Sequence, residues 1–201
     1  MCSDPSTKSP KRDQIIEAAV AEFQEKGFAA ASMDRISAKA EVSKRTVYKH
    51  FESKENLFRS IVAILSERIS DSLNIQYQSG VPIRDQLTEL AWAEGRLLIS
   101  PDVMSMARMV VSETLRNPEL AAETQGKIDS TSSITEMMRA ATEDGQLNIA
   151  DPEGAADEFL ALIKSKAFWP VLFGADIVTE AEMAAIVESC VSMILSRYGK
   201  G

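Results

Sequence analysis

The chain has 201 residues, 45% of them hydrophobic and 26% charged, with a formal net charge of −8. That is enough apolar material for a sizeable core, which excludes an intrinsically disordered chain. No apolar run reaches the roughly 18 residues that a membrane span needs, and residues 1–13 contain no apolar segment that could act as a secretory leader, so a cytoplasmic protein is expected.

Cys2 and Cys190 stand at opposite ends of the chain and are expected to be free thiols. With one histidine, His50, and no Gly-rich phosphate loop, the sequence offers no catalytic constellation, no metal cluster and no cofactor site, so no enzyme is expected. The acid is unevenly spread. Residues 1–60 hold 11 Lys plus Arg against 9 Asp plus Glu, a balance of +2, whereas residues 61–201 hold 11 against 21, a balance of −10. Such asymmetry turns the amino-terminal part toward a polyanion and the rest away from it.

Residues 1–9 are polar and contain Pro5, and are expected to form a disordered tail. Two readings stand for Lys8, Lys11 and Arg12: phosphate contacts, or a solvated basic end. A first helix is predicted from Pro10, which suits a first turn, to Gly27, a C-terminal stop, with Ile15, Ile16, Ala19, Val20 and Phe23 recurring at three and four.

Residues 32–58, SMDRISAKAEVSKRTVYKHFESKENLF, predict two short helices and the start of a third. Ser32 can cap the first, which sets Ile36 and Ala40 on one face; Ser43 can cap the second, which runs from Lys44 to His50. At 100° per residue Val47 and Phe51 share an inner face, while Arg45 and Lys49 lie opposite with Tyr48 and Thr46 on the flanks. Like charges at i,i+4 destabilise a helix by a few tenths of a kcal/mol. A polyanion would reverse that sign, because each neutralised phosphate releases counterions. Arg45, Tyr48 and Lys49 are therefore candidate DNA contacts. His50 has two readings, a phosphate contact or a capping or packed residue. Glu52 and Ser53 are expected to break the second helix and cap the next.

These residues resemble the DNA-binding domain of the TetR/AcrR family of bacterial transcriptional regulators. The match lies in Ile15, Ala18, Ala19, Phe23 and Gly27, then SMDRIS, then VSKRTVYKHFESKENL, and covers about the first third of the chain. The resemblance implies that Lys44, Arg45 and Tyr48 face base edges. It implies that Ser32, Met33, Thr46, Lys49, His50 and Lys54 lie at or near phosphates; Ser43, which caps this helix, is a further candidate DNA contact. One departure is Glu41, where the family usually has Gly. A left-handed conformation there would cost a non-Gly residue about 1 kcal/mol.

A long helix is predicted from Lys54 to about Gln78, and one of about 18 residues after Pro82, carrying Leu87, Leu90, Ala91, Trp92 and Leu97. Three pairs of a capping side chain with a proline, Ser100–Pro101, Asn117–Pro118 and Asp151–Pro152, mark starts of helices expected over 101–116, 118–142 and 152–172. Thr179 is expected to cap a last helix to Tyr198. No segment alternates with period two, so the fold is all-α with about nine helices: a tail at 1–9, a helix-turn-helix DNA-binding domain at 10–55, and a helical effector-binding and dimerisation domain at 56–201.

In this second part Trp92, Met104, Met109, Met138, Phe168 and Trp169 either fill the core or line a deformable apolar cavity, since Met repacks around varied shapes. The family resemblance implies a small, often hydrophobic or aromatic, effector there. Arg108, Glu113 and Arg116 share one helix and either pair internally or meet a polar group of the ligand. Phe159 and Ile163, with Met183, Ile186, Val187, Cys190 and Ile194 of the last helix, form apolar stripes that either make a four-helix dimer interface with a second copy or are buried within one subunit. The function that follows is a homodimeric regulator, more often a repressor than an activator in the family it resembles, binding a near-palindromic double-stranded operator and released by the effector. The alternatives are an activator, a regulator without effector, or a helical interaction module that binds no DNA.

Overall fold

The computed structural model describes residues 10–124, 126–128 and 130–200; the tail expected over 1–9 and Cys2 lie outside them. Among the described residues there are eleven α-helices and no strand, only an isolated bridge between Leu147 and Gly199. No described helix is long and apolar enough to cross a membrane.

The capping signals set the helix starts. After α1 (Pro10–Ala30), Ser32 Oγ accepts from the Arg35 N–H at the head of α2 (Met33–Lys39), and Ser43 from Thr46 at the head of α3 (Lys44–His50). Ser53 accepts from Asn56 as α4 (Lys54–Leu73) begins. Beyond α5 (Ile83–Leu98), each cap-plus-proline pair opens a helix: α6 (Pro101–Arg116), α7 (Pro118–Thr124) and, after α8 (Ser132–Glu143), α9 (Pro152–Ala167). The Asn117 side chain accepts from Glu119 and Leu120, and Asp151 from Gly154. Then come α10 (Trp169–Leu172) and α11 (Glu180–Tyr198), the latter opened by a reciprocal capping box between Thr179 and Glu182.

Four predicted helices end differently. The one expected to reach Gln78 stops at Leu73: the Gln78 backbone is held by the Gln86 amide, and the Tyr77 hydroxyl donates to Asp144 and accepts from Gln146 at 2.6 Å. These tertiary bonds draw residues 74–82 out of the helix. The helix expected over 118–142 is two, α7 and α8, with Gly126 at φ 72° between them. The one expected over 152–172 is also two, because Pro170 has no N–H to donate and crowds the preceding turn. In α1 the predicted stop at Gly27 is a break (φ 75°, ψ 157°) after which one more turn follows to Ala30.

The chain divides into two compact units, one made of the residues up to Ile64 with Ser105–Lys127, the other of Leu65–Met104 with the chain from Ile128 on. In the first, Ile15, Ala19, Phe23, Ile36, Val47, Leu57, Phe58 and Ile61 are fully buried. Phe23, Phe28 and Phe58 form an aromatic triad with centroids 5.4–6.4 Å apart, tilted or edge-on, as ring quadrupoles prefer. The Arg59 guanidinium grips Glu123 with two bonds of 2.7 and 2.8 Å, tying α4 to α7. In the second unit, α5, α8, α9 and α11 enclose a core that includes Leu87, Leu90, Ile134, Met138, Phe159, Ile163, Met183 and Val191.

Candidate nucleic-acid interface

The helix-turn-helix is built outward from α1. Glu22 on α1 is completely buried, and its carboxylate meets Arg35 Nε at 2.5 Å and Lys39 Nζ at 3.1 Å, both on α2. Arg35 also donates to the Ala30 carbonyl, and Lys39 reaches Glu25 at 2.7 Å. The turn after α2 closes with two bonds, Val42 N–H to the Ser37 carbonyl at 3.1 Å and Glu41 N–H to the Ala38 carbonyl at 3.2 Å. This is the pair of bonds of a Schellman stop, which wants a left-handed residue at the position of Glu41. Glu41 supplies it with φ 52°, so the turn is kept without the glycine.

This frame fixes the roll of α3. Val47 and Phe51 are 0% and 3% exposed, whereas Tyr48 is 50% exposed and Arg45, Lys49 and His50 are exposed beside it. The predicted inner and outer faces are therefore the observed ones. Ser43 and Thr46 share a 2.8 Å hydrogen bond at the head of the helix. Lys44 is paired with Asp34 of α2 at 2.5 Å, both ends exposed, a pair worth at most about 1 kcal/mol that an incoming phosphate or base can displace. Ser32 is half-buried as the α2 cap, and the Met33 side chain is buried, which leaves its main-chain N–H in the first turn of α2 as its polar group. Lys54 is otherwise engaged: Nζ donates to the Ala29 carbonyl at 3.1 Å and lies 4.7 Å from the Phe28 ring centroid, closing the end of α1. Lys11 is exposed, and Arg12 lies over the Phe51 ring at 5.5 Å.

The other predicted site residues are more scattered. Of the candidate effector contacts, Trp92, Met104, Met138, Phe168 and Trp169 belong to the second unit and Arg108 and Met109 to the first. Met104 and Met138 are buried in the second unit's core, with Trp92 and Phe168 packed against it; Trp169 is 49% exposed and Arg108 is exposed. The internal reading of the α6 charges is the observed one for Glu113, which accepts from the Phe28 N–H at 3.0 Å and meets Arg116 at 3.3 Å.

For the apolar stripes of α9 and α11, burial within one subunit is the arrangement seen in this chain. Phe159, Ile163, Met183, Val187, Cys190 and Ile194 are buried inside a single chain, with Ile186 packed half-buried against them, because the inner faces of α9 and α11 pack on each other and on α5. Burial pushes the Cys190 thiol up to about 12. The outer faces of the same helices form a groove of about 370 Å³ lined by Glu158, Ala161, Leu162, Ser165, Met193, Ile194 and Arg197.

Two buried carboxylates escaped the sequence reading, Glu22 and Glu94. The signal was present: Glu94 stands among Leu87, Leu90, Ala91 and Leu98 on one face of α5, where the period calls for an apolar side chain. Glu22 likewise stands beside Phe23 in the apolar half of α1.

A buried-frame helix-turn-helix with a cationic, tyrosine-bearing outer face defines a DNA-binding protein. Residues 15–61 match the tetR family of bacterial regulatory proteins, and residues 85–200 match the C-terminal domain of AefR-like transcriptional repressors. A TetR family transcriptional regulator from Pseudomonas syringae pv. tomato is 41% identical, with a TM-score of 0.86 over 97% of this chain and 100% of that one. The flavonoid-responsive regulator FrrA is 28% identical, with a TM-score of 0.70 over 94% of this chain and 97% of its own. The transcriptional regulator UidR of Escherichia coli K12 is 29% identical over 147 residues, 69% of this chain and 70% of UidR. The chain belongs to the TetR family and is a DNA-binding transcriptional regulator.

Proposed function

We propose that this regulator is a repressor that acts as a homodimer, reads a near-palindromic operator with α3, and is released by a small apolar, aromatic effector held in the carboxy-terminal region. In this reading residues 10–55 are the DNA-binding domain and residues 56–201 the effector-binding and dimerisation domain. The observation that carries it is the sorting of α3, with Arg45, Tyr48 and Lys49 outside and Val47 and Phe51 inside. Arg45 and Tyr48 read base edges, and Ser43, Thr46, Lys49 and His50 hold phosphates. Two copies of α3 would enter successive major grooves about 34 Å apart.

Dimerisation falls to the outer faces of α9 and α11, where the groove carries exposed Met193 together with the Glu158–Arg197 ion pair of 3.2 Å. Effector release requires that the ligand bind the non-DNA state more tightly, with a coupling of about 1–3 kcal/mol. A flavonoid-responsive relative and the methionine-rich second core support an apolar aromatic ligand. Fluorescence anisotropy with DNA from around its own gene, across a salt series, tests the DNA reading: affinity must fall steeply with salt. Affinity that ignores salt, or that Arg45→Ala and Tyr48→Ala leave unchanged, would overturn it.

A further inference from the structure

Glu94 is an ionisable residue in the middle of an apolar helix face. On α5 it is flanked by Leu90, Ala91 and Leu98, all buried, and is itself 3% exposed. Its one charged partner among the described residues is Lys164 of α9, with Nζ 3.6 Å from Glu94 Oε1. That separation attracts but is too long for a hydrogen bond. Lys164 donates instead to Ser130 Oγ at 3.1 Å, and no described residue donates a hydrogen bond to Glu94. Burial pushes the Glu94 carboxyl up, against the opposing pull of Lys164. A buried ion pair this loose adds little to stability compared with apolar packing. It does leave an acceptor and a donor with unused capacity inside the second unit.

We propose that Glu94 and Lys164 are the polar recognition element of the effector site in the second unit, selecting apolar aromatic molecules that carry a hydroxyl group, phenols above all. The inference rests on the effector reading given above. A hydroxyl oxygen at ordinary hydrogen-bond distance from both groups closes a triangle on the 3.6 Å edge, donating to Glu94 and accepting from Lys164. A single hydroxyl thus meets the needs of both, and an apolar ring behind it suits the surrounding side chains. A lone cation would be repelled by Lys164 and a lone carboxylate by Glu94. The same core contains Met104, Met137, Met138 and Met183, unbranched side chains that repack to admit a ring. Met183 lies directly against Gly95, the neighbour of Glu94: a Cβ there would meet its Cγ and Sδ at 3.0 Å.

The test is calorimetric titration of the full-length protein with naphthol, phenylphenol and a hydroxyflavone, each paired with its methyl ether, which keeps the ring but cannot donate. The wild-type protein should bind at least one phenol about tenfold or more tightly than its ether, because a site built around a hydroxyl rejects the analogue lacking the proton. Glu94→Gln, which preserves shape, and Lys164→Met should each erase most of that preference. Glu94→Leu should do the same while remaining folded, as read from its circular dichroism melt. Equal binding of phenols and ethers, no binding of any phenol, or a preference that survives Glu94→Gln would each overturn the proposal. Operator anisotropy with the same compounds separates it from the effector reading. Glu94-dependent phenol binding that leaves DNA affinity unchanged would keep the site and sink that reading. DNA release by other ligands with no phenol bound would do the reverse.

Discussion

Arg35 on α2 holds the fully buried Glu22 carboxylate of α1 across 2.5 Å, so the first helix of the helix-turn-helix is seated by a charge that water cannot reach. Removing the cation and removing the anion should have unequal consequences. Arg35→Ala leaves a buried carboxylate with only Lys39 and should lower stability by about 1–2 kcal/mol, kept small because the guanidinium is itself half exposed. Glu22→Leu removes the buried charge, frees Arg35 and Lys39 to solvent, and should be close to neutral. Urea unfolding of the two variants checks this, and a Glu22→Leu loss larger than that of Arg35→Ala would reverse the assignment.

The same carboxylate predicts a pH dependence. Burial alone would raise the Glu22 carboxyl, but hydrogen bonds and charges from Arg35 and Lys39 outweigh it and hold it below the usual carboxylate range. A group whose value is lower folded than unfolded contributes stability that is complete above the unfolded value and is lost as pH falls through the folded one. The stability of wild type relative to Glu22→Leu should therefore be constant at neutral pH and fall below about pH 4. Melting curves collected at a series of pH values should diverge in that window; parallel curves would mean the carboxylate gains nothing from its partners.

On α3 the two faces should separate stability from DNA affinity. Val47→Ala removes two buried methyl groups and should destabilise the fold by about 2 kcal/mol. Tyr48→Ala and Lys49→Ala should leave the melting temperature nearly unchanged. Lys49→Ala should weaken all DNA sequences alike and reduce the salt slope by about 1, whereas Arg45→Ala should relax preference at one base pair by about 1–3 kcal/mol. Competition binding with single-base operator variants distinguishes the two.

Glu41 occupies a left-handed position that favours glycine, at φ 52°. Glu41→Gly should raise stability by about 1 kcal/mol, the relief of strain exceeding the extra chain entropy of glycine at such a stop. Calorimetric melting of the variant gives the sign directly.

Met193 is 52% exposed on the outer face of α11, beside buried Ile194. Under the dimer proposal, Met193→Asp should convert the protein to monomers in sedimentation velocity without lowering the monomer's helicity. A dimer that survives this change would move the interface elsewhere.

Local chemistry settled much of this protein before any tertiary contact is considered. Ser32, Ser43, Asn117, Asp151 and Thr179 start helices because a short polar side chain satisfies N–H groups that a helix end leaves open, and that need is read within four residues. The 100° step likewise sorted Val47 and Phe51 from Arg45 and Tyr48. Tertiary structure decided what period alone leaves open. Residues 74–78 are helical by pattern but are drawn off by Asp144, Gln146 and Gln86, and the α9 and α11 stripes could have faced a second copy as well as each other. An apolar stripe specifies that it will be covered and not by what, because the hydrophobic effect has no direction; which surface covers it depends on contacts between residues far apart in the chain.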